Sequence, residues 1–495
     1  FTLDLNGKTV TMSETITNNG TLTVSGSSGT LTNGTISTIT NSGTLTKSGA
    51  STISNTATET YYAISNEGSS TLENTTAAAD GKYAINNSGT GKVTVKEGTV
   101  TANSWAIVSN STANTTSAPG VKVTSGTVTS TASVGIYNGS TGMVYVTGGT
   151  ITGSTYGIYN KNDTAGLITV TGGTITGTTQ QGIRGHSGTV SISGSSTSIT
   201  GSTYGVNVVG GTATITAGTI TATGGPGAYV NGGTLTVGTN EATPSVSTTV
   251  PSITGSTYGV RVESGTFNFY DGVIKGKYES DTGYSISGAP SAVPTGYGIK
   301  KTHTETQETA VLAKYYTVTY NYSTNGGTSA TKTTASVLQG TAVDLTPTAT
   351  KSGWSFVGWN TSSTATTKLS SYTMPGSNAT LYAIYSKKIT ATVYSYNNSS
   401  STVSNTIYNT ATSASLTLPT IENKTVSSVA YTGRGWSTSN TANATVNVAS
   451  GGSVTLSANT TYYASYQASI EATFYYNSNT TSGSLTVSTA KASGT

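Results

Sequence analysis

The sequence predicts an all-β protein in which a three-sided parallel β-helix over residues 1–299 precedes separate, smaller β modules. Three observations predict it. Apolar residues make up only 33% of the 495 residues, and they are mostly Val, Ile and Tyr that alternate with Thr and Ser, as in strands with one buried face. A short motif recurs with a period in the low twenties. Near residue 300 this motif gives way to a different unit.

The repeated motif consists of an aromatic, a small and an aliphatic residue. Its aliphatic member recurs at positions 64, 85, 107, 136, 158, 183 and 206, in steps of 21, 22, 29, 22, 25 and 23 residues. This period predicts coils of about 22–25 residues that stack about 4.8 Å apart. The aromatic member is present in seven copies: Tyr62, Tyr83, Trp105, Tyr156, Tyr204, Tyr258 and Tyr297.

Each coil contains three strand segments. One reads Thr-Ile/Val-Thr, the second is the aromatic motif, and the third alternates two apolar residues before a glycine turn. Glycine pairs such as Gly148-Gly149 supply the tight bends with positive φ between strands. Asparagines at matching positions predict a ladder of side-chain amides that are hydrogen-bonded from coil to coil. They are Asn66, Asn87, Asn138 and Asn160.

Polar segments interrupt this period. Residues 109–120 (SNSTANTTSAPG) and 239–251 (TNEATPSVSTTVP) contain proline and are predicted to leave the coil as loops. Residues 300–310 read KKTHTETQETA, with no glycine and no copy of the motif. We therefore expect 300–313 to be a linker or an end cap of the solenoid.

A different repeated unit follows. Trp359 and Trp436 are 77 positions apart, which indicates a repeat length of about 80 residues. The first copy spans 314–387, a diverged second copy spans 388–468, and 469–495 is the start of a truncated third. The first copy contains Asn-Gly-Gly at 325–327, Gly-Trp-Ser-Phe-Val-Gly-Trp at 353–359 and Thr-Leu-Tyr-Ala at 380–383.

These three motifs resemble the skeleton of the Listeria–Bacteroides repeat, also called the internalin-type B repeat. The second copy keeps Gly435-Trp436 but lacks Asn-Gly-Gly. The resemblance implies β-grasp-like or small β-sandwich-like modules that serve as spacers or adhesive units in surface proteins of Gram-positive and gut bacteria. Residues 1–299, with LDLNG at 3–7, resemble the parallel β-helix regions of large bacterial surface proteins, which implies a right-handed coil.

Charge and composition limit the classes of partner. Charged residues make up 8% and the net charge is +4, so nucleic-acid binding is not expected. No apolar run approaches the roughly 20 residues that cross a bilayer, so membrane insertion of this segment is not expected either. The absence of cysteine fits an extracellular protein of the bacterial cell surface. We expect a secretion signal and an anchor to lie outside this chain.

Parallel β-helices also occur in polysaccharide lyases and hydrolases, which need clustered ionisable groups. The densest charged group spans 261–281, and Arg184 occupies the same position of the motif as Arg261. This group is either a saccharide-binding site or a charged end that protects the last coils from edge-to-edge association. No catalytic residue, metal ligand or cofactor is predicted. The candidate binding residues are Arg184, Arg261, Glu263, Asp271 and Lys275.

The aromatic column has two interpretations. Tyr156 lies two residues before the inward Ile158, so strand alternation favours an aromatic stack in the core. If the small residue between them bends the chain, the rings instead face outward and can stack on sugars. The tryptophans of the later modules are predicted to be core anchors: Trp354, Trp359 and Trp436.

The threonines of the Thr-Ile/Val-Thr segment face outward. Pairs about 7 Å apart along each strand and about 4.8 Å apart between coils make flat rows, and ice-binding solenoids use that geometry. Against ice binding, Ser198, Ser252 and the long loops interrupt the rows, and the threonine excess continues into the later modules. A solubilising surface is therefore the favoured interpretation. The rows contain Thr99, Thr101, Thr127, Thr129, Thr150, Thr152, Thr174, Thr176, Thr219 and Thr221.

Together these patterns predict a non-enzymatic structural or adhesive surface protein, a stiff stalk or appendage component. We expect its partners to be surface glycans or proteins of host or neighbouring cells, and we expect it to self-associate into a surface structure. The alternative is a carbohydrate-active β-helix with its site near Arg184 and 261–281.

Overall fold

The chain is all-β, with a parallel β-solenoid of about 11 turns followed by a sheet-rich C-terminal region, so the predicted fold class is confirmed. It divides into two units, Phe1–Lys314 and Tyr315–Thr495. Within the described residues, no helix is long and apolar enough to cross a membrane. The computed structural model describes residues 1–57, 61–73, 76–79, 82–161, 165–242, 244–441, 444–476 and 481–492.

Each coil of the first unit passes through three sheets in a fixed order, beginning with Thr2–Asp4, Thr9–Met12 and Ile16–Asn18. We name them the valine sheet, the threonine sheet and the aromatic sheet after their commonest residues. The valine sheet contains Thr2–Asp4, Thr21–Ser25, Thr44–Lys47, Ser69–Glu73, Lys92–Lys96, Val121–Val123, Met143–Val146, Leu167–Val170, Thr189–Ile192, Thr212–Ile215 and the second halves of Ala228–Val237 and Val260–Phe269.

The other two sheets run beside it, and all neighbouring strands within them are parallel from coil to coil. The threonine sheet contains Thr9–Met12, Thr30–Asn33, Thr52–Asn55, Thr76–Ala79, Thr99–Ala102, Thr127–Ser130, Thr150–Gly153, Thr174–Gly177, Ser198–Gly201, Thr219–Ala222, Ser252–Gly255 and Val273–Glu279. The aromatic sheet contains Ile16–Asn18, Ile39–Asn41, Tyr62–Asn66, Tyr83–Asn87, Trp105–Ser109, Val134–Asn138, Tyr156–Asn160, Gln181–Gly185, Tyr204–Val208 and the first halves of Ala228–Val237 and Val260–Phe269.

The core of the solenoid is built from columns of identical or similar apolar side chains. Ile151 stacks on Ile175, which stacks on Ile199, because the strands pair in register, and all three are fully buried. The threonine or serine residues on either side of each isoleucine point away from the core. The predicted division into inward aliphatic and outward threonine residues is confirmed.

The aromatic strands depart from simple alternation. In Tyr156–Asn160 the residues Gly157 and Ile158 are both buried, whereas Tyr156 and Tyr159 are half-buried on the outside. The small second residue lets the backbone turn two consecutive positions inward. The preference for an aromatic core stack was therefore wrong, and the alternative, in which the small residue turns the rings outward, is correct.

The asparagine ladder is confirmed and is longer than predicted. Nδ2 of each asparagine donates to Oδ1 of the next, from Asn18 to Asn41 (2.6 Å), Asn41 to Asn66 (2.8 Å) and Asn66 to Asn87 (2.8 Å). Ser109 takes the next position in the register, and the ladder resumes with Asn138 donating to Asn160 at 2.8 Å. These buried amides donate to one another and to backbone carbonyl oxygens such as those of Gly142 and Gly166, and Oδ1 of Asn138 is left without a partner.

One lysine lies in the apolar interior. Lys47 is fully buried and pairs in register with Val24 and Leu72 in the neighbouring coils. Its Nζ donates to the carbonyl oxygens of Ser48 (2.9 Å) and Gly49 (3.3 Å). Burial lowers the pKa of Lys47 from 10.5 to about 8, because a low-dielectric surrounding disfavours the charged ammonium.

This burial makes the stability of the solenoid depend on pH. The unfolded chain keeps the Lys47 proton up to its ordinary pKa, whereas the folded chain releases it near pH 8. The free energy of unfolding is therefore expected to rise by about 2 kcal/mol between pH 8 and pH 10. Urea denaturation of the wild type and of Lys47→Met at both values measures this. The methionine variant should lack the extra rise, and an equal rise in both proteins would contradict the assignment.

The predicted loops leave the threonine sheet intact. Residues 109–120 contain a small antiparallel hairpin of Asn114–Thr115 and Ala118–Pro119, yet Thr99 still pairs with Thr127 in the next coil. Thr219 likewise pairs with Ser252 across the 239–251 insertion, of which residue 243 lies outside the described part.

An antiparallel hairpin closes the C-terminal end of the first unit. Tyr297–His303 pairs with the first half of Gln307–Asn321, which also pairs antiparallel with 273–277 of the last threonine-sheet strand. Tyr297, predicted as a seventh copy of the motif, therefore belongs to this hairpin and not to a coil. Covering the open edge in this way protects it from pairing with another chain. A short pair, Tyr278 with Gly283 and Glu279 with Thr282, lies beside it.

The second unit contains two modules with the same strand arrangement. In the first, Val318 and its neighbours pair parallel with Ala379–Tyr394, which pairs antiparallel with Ser355–Asn360. In the second, Ala379–Tyr394 is the first strand and pairs parallel with Thr460–Tyr476. One continuous strand therefore serves both modules. The remaining elements are Ser329–Ala330, Thr334–Leu338, Ala349–Thr350, a 3-10 turn at Tyr396–Asn398, Ser400–Tyr408, Ala414–Thr417, Lys424–Val426, Val429–Ser437, Val448–Ala449, Ser453–Leu456 and Thr481–Ala492.

Candidate functional site

The aromatic sheet carries the main concentration of functional side chains on its outer surface. Its strands present two outward positions, three residues apart, because the two residues between them are buried. The first row contains Tyr62, Tyr83, Trp105, Val134, Tyr156, Gln181, Tyr204 and Tyr258, and the second contains Ser65, Asn86, Val108, Tyr137, Tyr159, Arg184, Asn207, Tyr229 and Arg261. We call this surface the aromatic face.

Two of the predicted binding residues lie in one row of this face. Arg184 pairs in register with Asn207, Asn207 with Tyr229, and Tyr229 with Arg261. Three coil steps separate the two arginines, which corresponds to about 14 Å. The structure therefore brings Arg184 and Arg261 to the same surface but not into one pocket.

Arg261 is neutralised by a neighbour. Its Nη2 donates to Oε2 of Glu263 at 2.8 Å, and both side chains are about half exposed. This hydrogen bond raises the pKa of Arg261 above its ordinary value. The guanidinium also lies 5.8 Å from the ring centre of Tyr229 and 5.7 Å from that of Tyr258, a cation–π arrangement.

Arg184 has a different environment. Its Nη1 donates to the hydroxyl of Tyr156 at 3.0 Å, and the guanidinium lies 5.6 and 5.3 Å from the ring centres of Tyr156 and Tyr159. None of the ion pairs between described residues involves Arg184. Its positive charge is therefore held by aromatic rings instead of a carboxylate.

The remaining predicted residues lie elsewhere. Asp271 Oδ1 accepts hydrogen bonds from the backbone N–H groups of Ser247 (2.5 Å) and Gly272 (2.8 Å), and burial raises its pKa. Lys275 pairs in register with Thr254 at the end of the threonine sheet. Asp271 thus anchors the 239–251 loop, and Lys275 belongs to another surface.

The rings of the aromatic face stack on one another. Trp105 and Tyr137 are 4.7 Å apart between ring centres with planes inclined by 20°, and Tyr204 and Tyr229 are 4.7 Å apart at 11°. Tyr62 contacts Tyr83 at 5.6 Å. Such pairs stabilise the stack of coils by about 0.5–1.5 kcal/mol each. Because neighbours cover many ring faces, the ladder presents ring edges and hydroxyls outward.

The second aromatic row was missed from the sequence. Tyr137, Tyr159 and Tyr229 each follow the small member of the motif by two residues, so they recur with the period of the coils. That period was the available signal. It was overlooked because strict alternation assigns every second residue to one face, whereas here two adjacent residues are buried.

The threonine sheet forms a second continuous surface. Its outward residues stay in register through both long insertions, so the loops do not break the rows. Among the residues whose side chains are described, the two rows read Thr9, Thr30, Thr52, Thr99, Thr127, Thr150, Thr174, Ser198, Thr219, Ser252 and Thr11, Thr32, Ser54, Thr101, Thr129, Thr152, Thr176, Thr200, Thr221, Thr254.

In the first module the residues of the repeat motifs are structural anchors. Trp359 is 1% exposed, and its Nε1 donates to the carbonyl oxygen of Pro347 at 2.6 Å. Buried Asn325 donates to the carbonyl oxygens of Ser363 (3.0 Å) and Ala383 (2.8 Å). Burial raises the pKa of Tyr385 to about 12. The Asn-Gly-Gly and Gly-Trp motifs therefore hold the module together.

The second module repeats this arrangement despite its divergence. Trp436 is buried and donates from Nε1 to the carbonyl oxygen of Pro419 at 2.8 Å, as Trp359 does to Pro347. Both tryptophans follow a glycine with positive φ, Gly358 and Gly435, at a bulge in the sheet. The prediction of Trp359 and Trp436 as core anchors is confirmed, whereas Trp354 is only partly buried, with Nζ of Lys351 3.8 Å from its ring centre.

Comparison with known proteins gives one match. Residues 316–384 match the family model of the Listeria-Bacteroides repeat domain, which covers the first module. This repeat is typical of surface or extracellular proteins. No curated protein and no solved structure shows a significant match to the chain.

Proposed function

We propose that this chain is a non-enzymatic structural and adhesive protein of a bacterial cell surface. The solenoid is a stiff rod that presents its outer faces to surface glycans or proteins, and the modules of the second unit are spacers. The observation that carries the proposal is the combination of an in-register solenoid with a Listeria–Bacteroides repeat. Solenoids of this kind offer long, shallow surfaces for contact.

The roles of the charged side chains support a structural function. Glu308 accepts hydrogen bonds from the backbone and hydroxyl of Ser285 and from Lys301. Burial acts to raise the pKa of Glu308, but these hydrogen bonds outweigh it and hold the pKa below its ordinary value. Asp271 anchors a loop, and Glu263 pairs with Arg261. These carboxylates stabilise the last coils and the end hairpin.

A carbohydrate-active solenoid is the second candidate, favoured by the presence of Arg184 and Arg261 in one row of the aromatic face. Lyases and hydrolases position charged groups beside a bound polysaccharide in a comparable way. The two candidates differ in whether a bound glycan is cleaved.

The test measures retention and turnover on the same glycans. Beads coated with the purified chain are incubated with a panel of polysaccharides and with mucin, and new reducing or unsaturated ends are measured in the supernatant. We expect the coated beads to retain at least one of these glycans without producing new reducing or unsaturated ends, both for the wild type and for Arg261→Ala. Cleavage of a glycan that falls in Arg261→Ala would favour the carbohydrate-active candidate. If the beads retain none of the glycans, the result would count against adhesion.

A further inference from the structure

Valines take one position in each row, Val134 and Val108, and three polar side chains lie at adjacent positions farther along the aromatic face. In the first row Gln181 stands between Tyr156 and Tyr204, and in the second row Arg184 and Asn207 stand between Tyr159 and Tyr229. We call Gln181, Arg184 and Asn207 the polar break. Stacking between aromatic rings does not explain why three polar side chains lie at adjacent positions of the aromatic face.

Polar atoms without hydrogen-bond partners concentrate at this break. Among the described residues, four of the nine buried side-chain atoms that lack a partner lie in or beside it: Thr155 Oγ1, Arg184 Nε, His186 Nδ1 and Asn207 Oδ1. Asn207 is only 5% exposed, and its Nδ2 donates to Oε1 of Gln181 at 3.1 Å. Buried polar atoms are normally paired, so the packing of the coils leaves an unusual number of polar groups unsatisfied at this break.

Aromatic residues border the break on both sides. Tyr156 and Tyr159, 5.3 Å apart between ring centres, flank Arg184 in the preceding coil. The stacked pair Tyr204 and Tyr229 lies on the other side. A sugar ring between them meets apolar surface and phenolic hydroxyls, which is the mixture that saccharides recognise.

The charge of the break distinguishes acidic from neutral sugars. Arg261, three coils away, already pairs with Glu263, whereas Arg184 has no ion-pair partner among the described residues. A carboxylate is the preferred acceptor for the Nη groups of a guanidinium that lacks an ion pair. The outward edges of the tyrosine rings carry a partial positive charge, which also favours an anion.

We propose that the polar break is a subsite for a carboxylate-bearing sugar, a uronic acid unit within a polysaccharide chain. This inference rests on the proposed adhesive function and names the class of glycan. The sugar carboxylate accepts hydrogen bonds from the Nη groups of Arg184, and Tyr156 and Tyr204 border the sugar ring. Neighbouring sugars continue along the aromatic face.

The experiment compares polygalacturonate with its fully methyl-esterified form, which keeps the backbone and lacks the charge. Isothermal titration calorimetry with the full chain is expected to show binding of polygalacturonate at least about tenfold tighter than binding of the ester, since charge-assisted hydrogen bonds are roughly twice as strong as neutral ones. Arg184→Ala should weaken polygalacturonate binding by about tenfold or more and leave the ester unaffected. Arg434→Ala, which removes an exposed arginine of the second unit, is the matched control and should bind as the wild type does.

Each other outcome decides against the subsite. Equal binding of both polymers, or unchanged binding by Arg184→Ala, overturns it. If the alanine variant fails to fold, Arg184→Gln, which keeps a polar side chain without the charge, replaces it under the same criteria. A wild type that adheres to other glycans or to cells but not to polygalacturonate refutes the subsite and leaves the adhesive function standing. A wild type that adheres to nothing refutes both.

Discussion

Replacing Asn66 with alanine is expected to lower the free energy of unfolding of the solenoid by about 3 kcal/mol. Asn66 donates to Asn87 at 2.8 Å, and its Oδ1 accepts from Asn41 at 2.8 Å and from Ser70 Oγ at 2.6 Å. All of these side chains are buried. Alanine therefore removes an acceptor from Asn41 Nδ2, which keeps its hydrogen bond to the carbonyl oxygen of Gly43, and removes the donor to Asn87 Oδ1, and water does not replace either.

Urea denaturation followed by circular dichroism measures the loss, and amide hydrogen exchange in the adjacent coils locates it. The control is Asn86→Ala, which removes a half-buried outward asparagine from the neighbouring coil and is expected to change the unfolding free energy by less than about 0.5 kcal/mol. Equal effects of the two substitutions would show that the ladder does not stabilise the stack.

Gly182→Ala is expected to destabilise the solenoid by about 3 kcal/mol through overpacking. A Cβ at this position would lie 2.5 Å from Cγ2 of Ile199, 2.7 Å from the carbonyl oxygen of Gly205 and 2.9 Å from that of Thr200. Neither backbone oxygen can move without disturbing the next coil. Gly20→Ala is the control, because a Cβ there meets no atom within 4 Å.

The sizes of the two residues that clash in Gly182→Ala vary together along the sequence. Where the small member of the motif is glycine, the next threonine-sheet strand has isoleucine in its centre, as in Gly157 with Ile175 and Gly182 with Ile199. Where it is alanine, as at Ala84 and Ala106, that strand has valine, Val100 or Val128. The side chains at these two positions fill the same space in the core, so a larger residue at one position goes with a smaller residue at the other.

Ile199→Val should therefore recover part of the stability that Gly182→Ala loses, because the shorter side chain can adopt a rotamer that leaves the Cγ2 position vacant. A double-mutant cycle of the two substitutions, measured by urea denaturation, gives the coupling. We expect a favourable coupling of about 1 kcal/mol. Additive effects would mean that the clash with the backbone oxygens dominates.

Features that repeat in every coil could be predicted from the sequence. The buried isoleucines and the asparagine ladder were predictable because Ile151 and Asn66 have counterparts at the same position of several other coils, and repetition separates a structural role from chance. The same period located the corner glycines. The end hairpin was predicted only as one of two alternatives, since a single occurrence carries no period.

Features that break a local rule could not be predicted in this way. The outward direction of Tyr156 depends on two adjacent buried residues, Gly157 and Ile158, which strand alternation does not allow. Lys47 replaces an apolar residue in one coil only, so no repeated pattern predicts that it is buried. The candidate subsite at Arg184 depends on an interruption of two rows, and the second row becomes visible only when the register is known.

The register of the solenoid also bears on how the chain reaches its folded state. Paired residues are between 21 positions apart, as for Thr2 and Thr23, and 33 positions apart, as for Thr219 and Ser252. Each coil thus needs only the preceding coil as a template, and nucleation at one end can propagate to the other. Such a chain can fold coil by coil from its N-terminal end as it emerges from a pore, and the hairpin that begins at Tyr297 covers the last coil.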